Sequence, residues 1–160
     1  MDRLRIGVIG LGWFGEIHAE TIAGVPDLEL AALCTRTPDR LAAMGEKFGV
    51  KKLFRDYNDL FADPDIDAVS ICTMWDQHRE PAIAALKAGK HVFLEKPIAS
   101  TVDDGRAITA AAKADPVTLR SVRGRDRLLR PPPTRASPPS RDNRVRARAR
   151  AACGRRDRCA

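Results

Sequence analysis

The sequence predicts an α/β fold, a doubly wound parallel sheet, followed by a disordered basic tail. Three observations lead there. Short apolar runs alternate with helical patterns up to about residue 115, a glycine-rich turn joins the first run to the first helix, and the composition changes abruptly after Asp115.

The strands come first. Arg5–Ile9, Leu28–Leu33, Ala68–Cys72 and His91–Leu94 are short and rich in Val, Ile or Leu, as strands buried on both faces of a parallel sheet are. Lys52–Phe54 is a weaker candidate. The intervening helices carry start signals: Thr37 before Pro38, Asp56 with Asp59 three residues on, and Thr101 with Asp104 three residues on. Gly24 and Gly89 follow periodic segments, where a left-handed closing residue suits a side chain without Cβ.

Charge divides the chain in two. Residues 1–115 hold 14 Lys and Arg against 18 Asp and Glu, a net of −4, whereas residues 116–160 hold 14 Arg against 3 Asp, a net of +11. That second segment has no Lys, Glu, Ile, Phe, Tyr or Trp, and Pro131-Pro132-Pro133 and Pro138-Pro139 break regular structure. It reads as a disordered Arg/Pro-rich tail of a non-native reading frame, since Arg, Pro, Ala and Gly dominate codons made of G and C. An anion-binding tail for nucleic acid is the other reading, which the lack of aromatic residues for base stacking disfavours.

Hydrophobic residues at 44% and charged residues at 31% fit a globular domain, and no apolar run reaches the roughly 20 residues that cross a bilayer. Without an export signal, the expected location is the cytoplasm. Cys34 and Cys72 fall in apolar strand patterns and read as small buried hydrophobes, with no metal-ligand spacing among the four cysteines.

The chemistry begins at Gly10-Leu11-Gly12-Trp13-Phe14-Gly15, placed directly after the first strand and opening the first helix. That placement is the context of a Rossmann dinucleotide-binding turn. Gly10 permits the tight turn, Gly12 lets backbone approach a pyrophosphate, and Gly15 packs helix against strand, while the helix N-terminus offers free N–H groups. FAD and S-adenosylmethionine sites use similar turns. At the end of the second strand, where an acid would bond a ribose 2′-hydroxyl, the chain reads Cys34-Thr35-Arg36-Thr37-Pro38-Asp39-Arg40. Thr35, Arg36 and Arg40 are the candidate ligands there. A hydroxyl and a guanidinium in place of the acid favour NADP over NAD.

Further along stand Gly15-Glu16-Ile17-His18, Asp56-Tyr57-Asn58-Asp59-Leu60-Phe61, Asp67-Ala68-Val69 and Ala88-Gly89-Lys90-His91-Val92-Phe93-Leu94-Glu95-Lys96-Pro97. In this order, over residues 4–115, they resemble the Gfo/Idh/MocA family of oxidoreductases. The resemblance implies that Glu95 and Lys96 lie beneath the nicotinamide, that Lys96 reaches cofactor and substrate as the catalytic residue, and that the bond before Pro97 is cis. A lysine at a parallel strand's carboxyl end can donate to a substrate hydroxyl and stabilise oxyanion character.

Thr73 and His78 match the family's Thr-Pro-x-x-x-His element along the cofactor, although Met74-Trp75-Asp76 departs from it, which unsettles the contacts of Trp75. His18 and His91 are expected to be structural, bonding backbone. The family also implies a second α/β domain with a substrate-side Asp and His and the oligomer interface, and residues 116–160 do not resemble it. The resulting expectation is the NAD(P)-binding half of an oxidoreductase acting on a sugar, polyol or related alcohol. A non-enzymatic redox-sensor module and a tail-driven nucleic-acid binder are the alternatives.

Overall fold

The computed structural model describes residues 3–114 and 117–121. The disordered tail expected over 116–160 therefore lies, from residue 122 onward, outside the described residues. Strands and helices alternate: β1 Leu4–Ile9, α1 Trp13–Gly24, β2 Leu28–Cys34, α2 Pro38–Phe48, β3 Lys52–Phe54, α3 Tyr57–Ala62, β4 Ala68–Ile71, α4 Arg79–Lys87, β5 His91–Leu94, α5 Val102–Ala114 and β6 Leu119–Ser121. A 3-10 turn, Trp75–Gln77, precedes α4. All strand pairs are parallel, in the order β3-β2-β1-β4-β5-β6. This is the Rossmann-type α/β fold the alternating pattern predicts.

The continuous apolar runs are explained by burial on both faces. Along β1 and β2, Val8 and Leu33 turn toward Ala19, Ile22, Leu41 and Met44 of α1 and α2. Their neighbours Ile9, Ala32 and Cys34 turn the other way, into a core with Leu60, Phe61, Ala85, Leu86 and Ile108. Successive side chains thus serve opposite layers, so neither face can take a polar residue cheaply.

Helix starts follow the sequence signals. Thr37 stands at the N-cap of α2 without a side-chain cap, the start being set by Pro38 in the first turn; Asp56 caps α3 by accepting the Asn58 N–H, and Thr101 Oγ1 accepts the Asp104 N–H at 3.1 Å. The stops differ at one position. Gly24 is the last residue of α1 and has no positive φ; the left-handed closures are Gly89 (φ 74°) and Gly49 (φ 67°), which closes α2. After α1 the chain passes through Val25 in extended backbone, so no left-handed residue is needed.

The sheet runs past residue 115, where the composition suggests that the domain ends. Residues 119–121 form the edge strand β6 on β5, and the Val92 N–H donates to the Thr118 carbonyl at 2.8 Å. Val117 and Leu119 pack on the main core. Three residues are too few to show a period in the sequence, and pairing with β5 supplies what local pattern lacks.

Candidate functional site

The carboxyl ends of β1, β2 and β4 open on a cleft of about 710 Å³, where the sheet order reverses between β1 and β4. The glycine turn forms its floor. Gly10 has φ +85°, and a Cβ there would stand 2.8 Å from the Cys72 carbonyl carbon. A Cβ on Gly15 would stand 1.9 Å from the Gly10 carbonyl oxygen, so helix and turn are in direct backbone contact. At Gly12 a Cβ would meet no atom within 4 Å, so protein packing does not require glycine there. Gly12 caps α1 without a side-chain acceptor, which leaves first-turn N–H groups for another acceptor.

Six predicted residues line this cleft: Gly10, Leu11, Gly12, Thr35, Arg36 and Thr73. Arg36 Nη2 donates to Gln77 Oε1 at 3.2 Å across it. Arg40 lies elsewhere. Its Nε donates to the Leu11 carbonyl at 2.9 Å and its Nη2 pairs with Glu16, bracing the turn from behind. Lys47 Nζ meets the same carboxylate at 2.6 Å, and Lys47 and Arg40 hold Glu16 below the usual carboxylate range. An acid in the first turn of α1 is thereby neutralised, which keeps it from opposing an anion at that helix end.

The remaining predicted residues gather around the ends of α1 and β5. Trp13 (73% exposed) packs edge-on to Phe14, with ring centroids 4.8 Å apart, and Lys96 Nζ stands 5.4 Å from the Phe14 ring centroid. Trp75 is half exposed on the 3-10 turn. The Lys96–Pro97 bond is cis, as the resemblance implied. His78 is buried, with Nδ1 2.9 Å from the Pro97 carbonyl and Nε2 3.0 Å from the Thr73 carbonyl. It ties the loop after β4 to the loop after β5.

His18 does not bond backbone, as the sequence suggested; its partners are side chains. Its Nε2 donates to Glu95 Oε1 at 2.9 Å, and Nδ1 lies 2.8 Å from Ser70 Oγ and 3.2 Å from Cys72 Sγ. Glu95 Oε2 accepts the Lys96 N–H at 3.0 Å, so a chain of polar contacts runs from α1 to the backbone of Lys96. The cause is tertiary: His18 reaches from α1 toward β4 and the end of β5, where Ser70 and Glu95 offer buried polar atoms that need partners. His91, by contrast, does bond backbone, accepting the Thr118 N–H at 3.0 Å. Burial pushes the Cys34 and Cys72 thiols up to about 12, which disfavours the thiolate form; Cys72 is only half-buried and joins the polar group rather than a dry core.

Residues the sequence did not assign to the cofactor site also line the cleft: Arg55, Asp56, Tyr57 and Asn58 after β3, and Asp76, Gln77 and Glu80 before and within α4. The first group arrives because β3 pairs with β2, and a three-residue strand gave little signal of that. Among the described residues no helix is long and apolar enough to cross a membrane.

The chain matches the oxidoreductase family with an NAD-binding Rossmann fold, Gfo/Idh/MocA, over residues 4–122. It is 46% identical over 113 residues to the myo-inositol 2-dehydrogenase of Thermotoga maritima, covering 70% of this chain and 34% of that protein. The scyllo-inositol dehydrogenase of Lactobacillus casei, solved with NAD(H) and scyllo-inositol, superposes with a TM-score of 0.67 at 33% identity, over 75% of this chain and 36% of that one. A 3-ketoreductase from Actinomadura kijaniata, solved with TDP-benzene and NADP, gives a TM-score of 0.71 at 29% identity, over 75% and 38%. The chain spans about a third of the length of these relatives. Their names are those of dehydrogenases and reductases, and neither a redox-sensor module nor a nucleic-acid binder finds support among them. The described domain, with its parallel sheet, glycine turn and Glu95-Lys96-Pro97 loop, belongs to the Gfo/Idh/MocA family of oxidoreductases, in its NAD-binding Rossmann part.

Proposed function

We propose that this domain holds NADP in preference to NAD, as the cofactor half of an oxidoreductase that moves hydride to or from a sugar, polyol or related alcohol. The observation that carries the reading is the cleft itself. Its floor is a glycine turn at a helix N-terminus, and its β2 end presents Thr35 and Arg36 where an NAD site would present an acid. The open space beside Gly12 suits close approach of a pyrophosphate. Leu11, Gly12 and the first turn of α1 would hold the phosphates, Arg36 the adenosine end, and Thr73 the ribose on the nicotinamide side.

A bound nicotinamide supplies the hydride acceptor or donor. Lys96, exposed at the end of β5 beside Phe14, donates a hydrogen bond to the substrate oxygen and stabilises negative charge as it develops there. Glu95 fixes the Lys96 backbone through its N–H. Among the described residues Lys96 alone does not form a substrate pocket or a full acid/base pair, so this domain is assigned cofactor binding, and turnover calls for further groups. In the complete enzyme the substrate and oligomer contacts would come from the part of the relatives this chain does not span.

The test is titration of the chain with NADPH and NADH by nicotinamide fluorescence, repeated with Arg36→Ala. NADPH is expected to bind more tightly, and the variant to lose about tenfold for NADPH and under twofold for NADH. Equal weakening of both, or binding of neither, overturns the NADP assignment.

A further inference from the structure

Two strand ends leave the sheet together at the adenosine end of the cleft. β2 and β3 pair with Cys34 opposite Phe54, and the Thr35 N–H donates to the Phe54 carbonyl at 3.2 Å. The residues that follow, Thr35-Arg36 on one side and Arg55 on the other, therefore emerge side by side, and all three line the cleft. Arg36 has only the neutral Gln77 as a side-chain partner. Arg55 is exposed and forms no ion pair among the described residues.

Asp56, the acid next to Arg55, forms no ion pair with it and is engaged at the start of α3. Asp56 Oδ1 accepts from the Asn58 N–H at 2.8 Å and from Asn58 Nδ2 at 2.9 Å, so that oxygen caps α3. Asp76 and Glu80 also line the cleft, from the 3-10 turn and α4; neither forms an ion pair with Arg36 or Arg55 among the described residues, and Glu80 pairs with Arg79. Two arginines that line one cleft from neighbouring strand ends, neither of them ion-paired among the described residues, can both reach an anion placed between those ends. A phosphate monoester has charge and acceptor oxygens enough for two guanidinium groups, each able to bind it through two N–H donors.

We propose that Arg55 is a specificity-determining residue, the second arm of an arginine clamp that grips the 2′-phosphate of NADP from the loop after β3 while Arg36 grips it from the loop after β2. This rests on the NADP reading above and adds the residue that the short third strand delivers. The adenosine end alone suffices to test it. Adenosine 2′,5′-bisphosphate and 5′-AMP serve as probes beside NADPH and NADH, measured on the full chain and on Arg55→Ala, Arg55→Lys and Arg36→Ala, each checked for an unchanged thermal midpoint.

Arg55→Ala is expected to weaken the bisphosphate and NADPH about tenfold while changing 5′-AMP and NADH less than twofold, with Arg55→Lys between the two. If Arg55→Ala leaves the NADPH-to-NADH ratio unchanged while Arg36→Ala lowers it, the clamp is overturned and the NADP reading stands. Equal weakening of all four ligands also overturns it, assigning Arg55 to adenine or to general electrostatic attraction. A wild-type chain that binds NADPH no more tightly than NADH removes the NADP reading and the clamp with it.

Discussion

The two edges of the one sheet use their charges in opposite ways. At the amino edge they are satisfied within the protein: Arg5 pairs with Asp65 and Asp67, Lys52 with Asp63 and Asp65, and buried Lys90 donates to the Asp63 and Ile66 carbonyls. At the carboxyl edge Arg36, Arg55 and Lys96 have no carboxylate partner among the described residues. Paired charges hold loops, whereas cations outside any ion pair at the carboxyl ends of a parallel sheet are available to an anionic ligand. Substitutions at the amino edge should therefore change stability and not binding, and those at the carboxyl edge the reverse.

The largest effect is expected where the carboxyl edge is backbone against backbone. In Gly15→Ala the new methyl would lie 1.9 Å from the Gly10 carbonyl oxygen, and no side chain is free to yield. The turn must open, so cofactor titration should show complete loss of binding together with a drop in thermal midpoint. Retained affinity would mean that α1 and the turn are not rigidly joined.

Next comes the amino edge. The Arg5 guanidinium holds the Asp67 carboxyl at about 2, against an ordinary value of 3.8. A depressed carboxyl contributes stability that is complete above its unfolded value and lost as pH falls through the folded one, here between about 3.8 and 2. Asp67→Asn should lose on the order of 1 kcal/mol at neutral pH, because the pair is a third exposed and partly screened. Its melting curves should also show less acid sensitivity in that window. An altered cofactor affinity would break the division between the edges.

The smallest effect on folding belongs to Lys96→Ala, because Lys96 is exposed and its recorded side-chain contact is the Phe14 ring. The thermal midpoint should move by no more than the equivalent of about 0.5 kcal/mol, and affinity for 5′-AMP should be unchanged. A larger loss of stability would make Lys96 a structural residue and remove its proposed part in chemistry.

Much of this was legible in the residue order. The apolar runs, the helix-start pairs Thr37-Pro38 and Thr101-Asp104, and the glycine turn are local signals, each set by backbone sterics or by hydrogen bonds a few residues apart. So was the family, because its motifs are contiguous. The Gly24 closure was misread for the same local reason, since a glycine after a helical period has the same signal whether or not the chain turns left-handed there.

What the sequence by itself determined is the alternation of strand and helix, the place of the phosphate-side turn and the identity of the loop that carries Lys96, all encoded over a few neighbouring residues. Only the tertiary structure decided which distant side chains meet. It turned Arg40 behind the turn to Leu11 and Glu16, carried His18 to Ser70 and Glu95, brought Arg55 beside Arg36, and added β6 from a segment with no period of its own. Those meetings depend on strand order and on which layer each helix joins. Pairing and burial fix both across tens of residues, where no spacing along the chain records them.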